Sequence, residues 1–226
     1  MKIMDIDEVR KSPVIGSIIL CGFICDEDKQ DYLHNIGVKD SKKIQYKISK
    51  LSKYLRNDLS FDYKILKIPA IEISKSDNIN KLEASYISKL IKWGVEKHKV
   101  QKIYIDSLTA KPSTTGNYLN LRNIKGDCII LTEVHADEIY PCVSAASIIA
   151  KDFSDLEMKL LRKKYDFGSG ECNDKKTREF IYNALQNDNQ EALKIIRTNW
   201  ETTKRELRKL LDQNDKKNNK SQIKET

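Results

Sequence analysis

At 226 residues, 39% of them hydrophobic, the chain is long enough for one sizeable domain with an appendage and apolar enough to bury a core. No apolar run approaches the roughly eighteen residues of a membrane-spanning helix, and the N-terminus carries no apolar leader, so a spanning helix is excluded and a cytoplasmic protein is expected. The formal net charge of +8 favours polyanionic partners, nucleic acid first.

In chain order, MKIMDID begins apolar and ends on acids, as a strand running to an edge does. PVIGSIILCGFIC follows after a short turn, and its β-branched run predicts a second, buried strand that makes a hairpin with the first. DEDKQDYLHNIGVKDSKKI reads as polar loop leading to a helix start, with Asp40 or Ser41 as cap, and Ser49–Leu55 completes a short helix. FDYKILKIPA is a third strand, ended by Pro69. Asn78–His98 places Ile79, Leu82, Ala84, Ile87, Leu90, Ile91 and Val95 near helical spacing and predicts an amphipathic helix. KIYIDS and CIILTEV are two further strands, and Ile139–Leu161 is a long helix entered through small residues. Helical segments follow over Lys175–Gln186 and Gln190–Leu211, and DQNDKKNNKSQIKET, almost without apolar residues, is expected to be a disordered tail. This pattern belongs to the α/β class with a mixed sheet. The five cysteines (Cys21, Cys25, Cys128, Cys142 and Cys172) are odd in number and form no CxxC pair, so they indicate neither a zinc site nor a disulfide framework.

Acids recur where strands hand over to loops. Asp7 and Glu8 close the first strand, Asp106 closes KIYIDS, and Asp137 follows CIILTEV. Strand ends are where α/β folds gather functional groups, although acids also simply terminate strands. If these ends meet, the clustered carboxylates repel one another until cations join them, and hard oxygen ligands suit Mg²⁺ or Mn²⁺. Two such ions roughly 3.5–4 Å apart activate water and stabilise a leaving oxygen in phosphodiester hydrolysis.

The segments DIDEVRKSPVIG, GVKDSKK, YIDS, EVHADEIYPCVSAASIIAK, DFGSG and RTNWETTK occur in an order that resembles the type 2 ribonuclease H family, in its archaeal ribonuclease HII form. The resemblance runs from about Met4 to Lys204. It implies a ribonuclease H-like five-stranded mixed sheet flanked by helices, with a C-terminal helical extension. The corresponding division is a catalytic core over 1–170, a helical extension over 171–211 and the lysine-rich tail over 212–226. It also implies a monomeric, two-metal endoribonuclease that cuts RNA paired to DNA and leaves 5′-phosphate and 3′-hydroxyl ends. The family's acidic ligands fall on Asp7, Glu8, Asp106 and Asp137.

Two departures stand out. Where the family carries Gly-Arg-Gly, this chain has Arg10-Lys11-Ser12, so side chains stand where glycines let backbone approach the ribose 2′-hydroxyls. Lys11 keeps the central positive charge without arginine's bidentate fork. Glu171 stands where the family has a tyrosine that reads the junction between ribonucleotide and deoxyribonucleotide. These changes lead to the expectation of an active hybrid nuclease that depends less on the junction. The alternatives are ordinary incision at single ribonucleotides in DNA, action on RNA duplexes or on single-stranded RNA, and a non-catalytic hybrid-binding protein. Ser41, Lys42, Lys43 and Lys151 are candidate phosphate contacts, and His135 stands where the family commonly has lysine. Trp200 is expected to anchor the C-terminal helix, and no sliding-clamp motif is found in the tail.

Overall fold

In a computed structural model of the chain, residues 1–38, 47–109, 111–119, 128–133 and 140–222 are described. The strands are β1 (Lys2–Val9), β2 (Ile18–Asp26), β3 (Asp62–Ile68), β4 (Lys102–Asp106) and β5 (Ile129–Glu133). The α-helices among these residues are α1 (Gln30–Asn35), α2 (Ile48–Asn57), α3 (Ala70–Lys75), α4 (Ile79–His98), α5 (Pro112–Leu119), α6 (Pro141–Lys164), α7 (Lys175–Gln186), α8 (Gln190–Leu193) and α9 (Glu201–Gln222). They fall into two compact units. One comprises Met1–Lys11, Ile18–Ile68 and Asn78–Leu156; the other comprises Ser12–Ser17, Pro69–Asp77 and Glu157–Thr226. The sequence-based boundary at residue 170 lies inside the second of these.

The first unit is built on the mixed sheet β3-β2-β1-β4-β5. β2 is antiparallel to both β1 and β3, whereas β1, β4 and β5 run parallel. Ile18–Cys25 of β2 is buried throughout, because helices cover both faces and leave no solvated side to reward alternation. On one face Phe23 and Cys21 share a core with Ala145, Ala146 and Ile149 of α6 and with Leu33 and Leu55. On the other, Gly22 lets Leu90 and Trp93 of α4 come close. Helix α4 starts at Asn78, whose side chain accepts from Lys81 N at 3.1 Å, and stops at Lys99 in left-handed conformation. Ile6 pairs with Ile105, and Asp106 with Glu133. The three parallel strands therefore end at one edge, where Asp7 and Glu8 of β1 and Asp106 of β4 stand.

The second unit has its own core of Val14, Ile15, Met158, Phe167, Ile181, Ala184, Ala192 and Ile196. Arg197 is fully buried; its N–H donates to Val14 O at 2.8 Å and its Nε to Gly16 O at 3.0 Å. Trp200 Nε1 donates to Ser12 O at 3.1 Å within this unit, and so holds the start of α9 there.

Some expectations are corrected. The second strand begins at Ile18, not Pro13, because Gly16 turns the chain at φ +87° and Val14 and Ile15 go to the other core. Gln190–Leu211 is not one helical segment; it breaks after Leu193, where Arg197 pairs with Val14, and resumes at Glu201. The backbone of α9 stays helical to Gln222, past the expected start of the tail at Asp212, over a stretch with no glycine or proline to stop it. Helices α1, α3 and α5 were not foreseen. No helix among the described residues is long and apolar enough to cross a membrane.

Candidate metal centre and nucleic-acid contacts

Asp7 and Glu8 stand at the end of β1, and Asp106 ends the neighbouring parallel strand β4. One carboxylate oxygen from each lies within 4.8 Å of the others, and no other cluster of potential metal-ligating acids, cysteines or histidines of this kind occurs among the described residues. Asp7 is buried, and its Oδ1 accepts from Glu8 N at 2.8 Å, which fixes its carboxylate against the strand end. Glu8 is held well above the usual carboxylate range, first by burial, then by the like charges of Glu83 and Asp7; Lys11 opposes the shift, and Asp106 adds to it. A carboxylate cluster that pushes a member toward protonation is one that a hard divalent cation relieves, and the all-oxygen donor set fits Mg²⁺ or Mn²⁺.

The turn beyond β1 carries Arg10 and Lys11. Arg10 adopts φ +69°, the left-handed region that glycine enters freely and other residues rarely do. Its Nε and Nη2 are withdrawn from solvent, so the guanidinium does not splay over the surface. Lys11 Nζ sits 2.8 Å from Glu83 Oε2 of α4 and donates to Leu108 O at 3.1 Å. Leu108 belongs to the turn leaving β4, which Ser107 secures by donating from its N to Glu133 O at 2.8 Å. One ammonium thus ties the two acid-bearing strand ends to a buried helical carboxylate.

Lys151, on α6, pairs with Asp155 one turn on. Ser12 and Glu171 are exposed residues of the second unit, where Cys172 Sγ donates to Ser12 O at 3.6 Å and Glu171 N to Ser169 Oγ at 3.2 Å. Asp137, His135, Ser41, Lys42 and Lys43, and the proposed cap Asp40, lie outside the described residues. Glu83 was missed by the sequence reading. Its signal was available: with Ile87 and Leu90 it forms an i, i+4, i+7 series, an acid set into an apolar stripe.

A family model described as Ribonuclease HII matches residues 4–203 of the chain. Ribonuclease HII of Methanocaldococcus jannaschii is 34% identical over 224 residues, covering 92% of this chain and 96% of that protein. The crystal structure of ribonuclease H2 from Pyrococcus horikoshii OT3 superposes with a TM-score of 0.80 at 34% identity, covering 91% of this chain and 97% of that one. The ribonuclease HII in the PCNA complex from Archaeoglobus fulgidus gives 0.74 at 29% identity, with 89% and 96% covered. The mixed sheet and its acidic strand ends define an endoribonuclease of the ribonuclease H type, a class that works with divalent metal. Within that class the chain belongs to the ribonuclease HII family.

Proposed function

We propose that the chain hydrolyses the RNA strand of RNA/DNA hybrids by two-metal chemistry, with Asp7, Glu8, Asp106 and Asp137 as ligands and a lowered dependence on the RNA–DNA junction. The observation that carries this reading is the meeting of three carboxylates at two parallel strand ends, within 4.8 Å of one another. Divalent ions bound there, Mg²⁺ or Mn²⁺, supply an activated water and stabilise the leaving 3′-oxygen. The acids hold those ions, and Lys11 offers its charge to a backbone phosphate beside them. Ser12, Ser41, Lys42, Lys43 and Lys151 supply further backbone contacts, and the protein works as a monomer.

The lowered junction dependence rests on Arg10 and Ser12 in place of glycines, and on Glu171, whose exposed carboxylate repels phosphate where the family has a tyrosine. A second reading, ordinary incision at single ribonucleotides, is favoured by one observation: Arg10 keeps the left-handed bend that glycine would take.

Cleavage of a full RNA/DNA hybrid, a DNA duplex with one embedded ribonucleotide and an RNA duplex, in Mg²⁺ and in Mn²⁺, separates these readings. Strong cutting of the hybrid with weak incision at the single ribonucleotide supports the first, and efficient incision there supports the second. Hybrid binding without cutting in either metal leaves a binding protein. Asp7→Asn is expected to lower the cleavage rate about a thousandfold or more, while the fold persists on thermal melting.

A further inference from the structure

We infer that Glu83 is a positioning residue: it fixes the ammonium of Lys11 at the acid-bearing edge, where that ammonium takes a phosphate of the hybrid. The inference rests on the reading of Lys11 as a phosphate contact. Glu83 is fully buried on the second turn of α4, a place where a carboxylate is kept only with charged or hydrogen-bonding company. That company is Lys11 Nζ at 2.8 Å, while 27% of the lysine side chain stays accessible. Leu108 O, 3.1 Å from the same Nζ, is a second anchor. A free lysine is a flexible point charge that loses much rotamer freedom when it binds. A lysine already held at two sites has met that cost in folding, and the partner sees a fixed charge.

The sign of the effect distinguishes this role from background electrostatics. Glu83 stands close enough to Glu8 to raise its pKa. As a mere negative charge near a polyanion, within a Debye length of about 10 Å, it repels substrate, and its removal tightens binding. As the anchor of Lys11 it aids substrate, and its removal weakens binding.

The test is hybrid affinity by fluorescence anisotropy, in Mg²⁺ over a series of salt concentrations, with every protein in an Asp7→Asn background so that the substrate survives. Lys11→Met is expected to weaken binding about tenfold and to flatten the dependence of log K on log salt by about one. Glu83→Gln is expected to weaken it by about threefold to tenfold, and the double variant to be no worse than Lys11→Met alone. With Asp7 restored, Glu83→Gln should raise KM by more than it changes kcat. If Glu83→Gln fails to fold, Glu83→Asp keeps the charge and draws Lys11 back by one methylene, and an intermediate loss of affinity supports the inference. Unchanged or tighter binding by Glu83→Gln overturns it, as do losses that simply add in the double variant. No loss in Lys11→Met removes the phosphate contact and the inference with it, while leaving the proposed chemistry standing. A parent protein that binds no hybrid overturns the proposed function and this inference together.

Discussion

Among the turns of this protein that take up left-handed backbone, two do so by different means. Gly168 and Gly170, in the loop before α7, adopt φ +73° and +86°. Glycine enters that region at little steric cost, and the loop is then fixed by polar bonds. Thr177 Oγ1 donates to Phe167 O at 2.8 Å and accepts from Gly170 N at 3.0 Å, and Ser169 N donates to Asp174 Oδ2 at 2.6 Å. The turn after β1 reaches φ +69° with an arginine. There the conformation itself costs about 1 kcal/mol or more, so it persists only because its surroundings over-determine it. The next residue supplies that constraint, since Lys11 is held by both Glu83 and Leu108 O. A glycine loop is cheap to bend and needs bonds to define it; a side-chain-bearing turn beside an acidic centre stores strain and needs a clamp.

The largest expected effect tests the glycine side of this contrast. A Cβ at Gly168 runs into the Asp174 carboxylate, and alanine there faces the left-handed penalty as well. Gly168→Ala is expected to destabilise the protein by about 1–3 kcal/mol, read from chemical denaturation. A smaller loss than for any ordinary surface substitution would mean that the loop relaxes and that glycine is not required there.

Next in size is the arginine turn. Arg10→Gly relieves the left-handed strain but adds freedom to the unfolded chain, so its net change in stability is small. Arg10→Ala keeps the strain, and the informative quantity is the difference between the two. Arg10→Gly is expected to be the more stable by about 1 kcal/mol. Equal stabilities would show that the turn holds no strain. If Arg10→Gly also raises incision at a single ribonucleotide relative to a full hybrid, the side chain, and not the backbone bend, sets the proposed junction dependence.

The acids of the metal centre were legible because strand ends are where the apolar run stops: MKIMDID and KIYIDS each break on a carboxylate, and the broken pattern marks the edge. What the pattern could not show was that β4 lies beside β1, since the pairing joins strands far apart in the chain and depends on the whole sheet order. Glu83 was legible in principle, as an acid in an i, i+4, i+7 stripe, but its meaning required Lys11 to arrive opposite it. The short helices α1, α3 and α5 carried little signal, because helices of one or two turns owe their stability to packing and not to propensity. The break before Glu201 was hidden for a similar reason: it follows from Arg197 pairing with Val14, a contact across most of the chain.

The smallest effect concerns the acid that organises the glycine loop. Asp174 accepts from Ser169 N and from Lys176 N at 2.9 Å, and Thr177 Oγ1 lies 3.3 Å from it. Bonds to the backbone and side chain of Ser169, foremost, lower its pKa from 3.8 to about 2. A carboxylate with a depressed folded-state pKa binds fewer protons folded than unfolded. Its contribution to stability is complete above pH 3.8 and is lost as the pH falls toward 2. Asp174→Asn removes the titration while keeping the shape. The gap in melting temperature between the two proteins should therefore be widest above about pH 4 and close as the pH approaches 2. Asp58, also lowered by its bonds to Ser60, leaves some acid sensitivity in both proteins, which is why the gap and not the slope is the quantity to follow. A gap that stays constant from pH 7 to the acid limit would show that the amide replaces the carboxylate without loss of charge-dependent bonding. The glycine loop would then owe nothing to the charge of Asp174, and the bonded half of its contrast with the clamped arginine turn would fail.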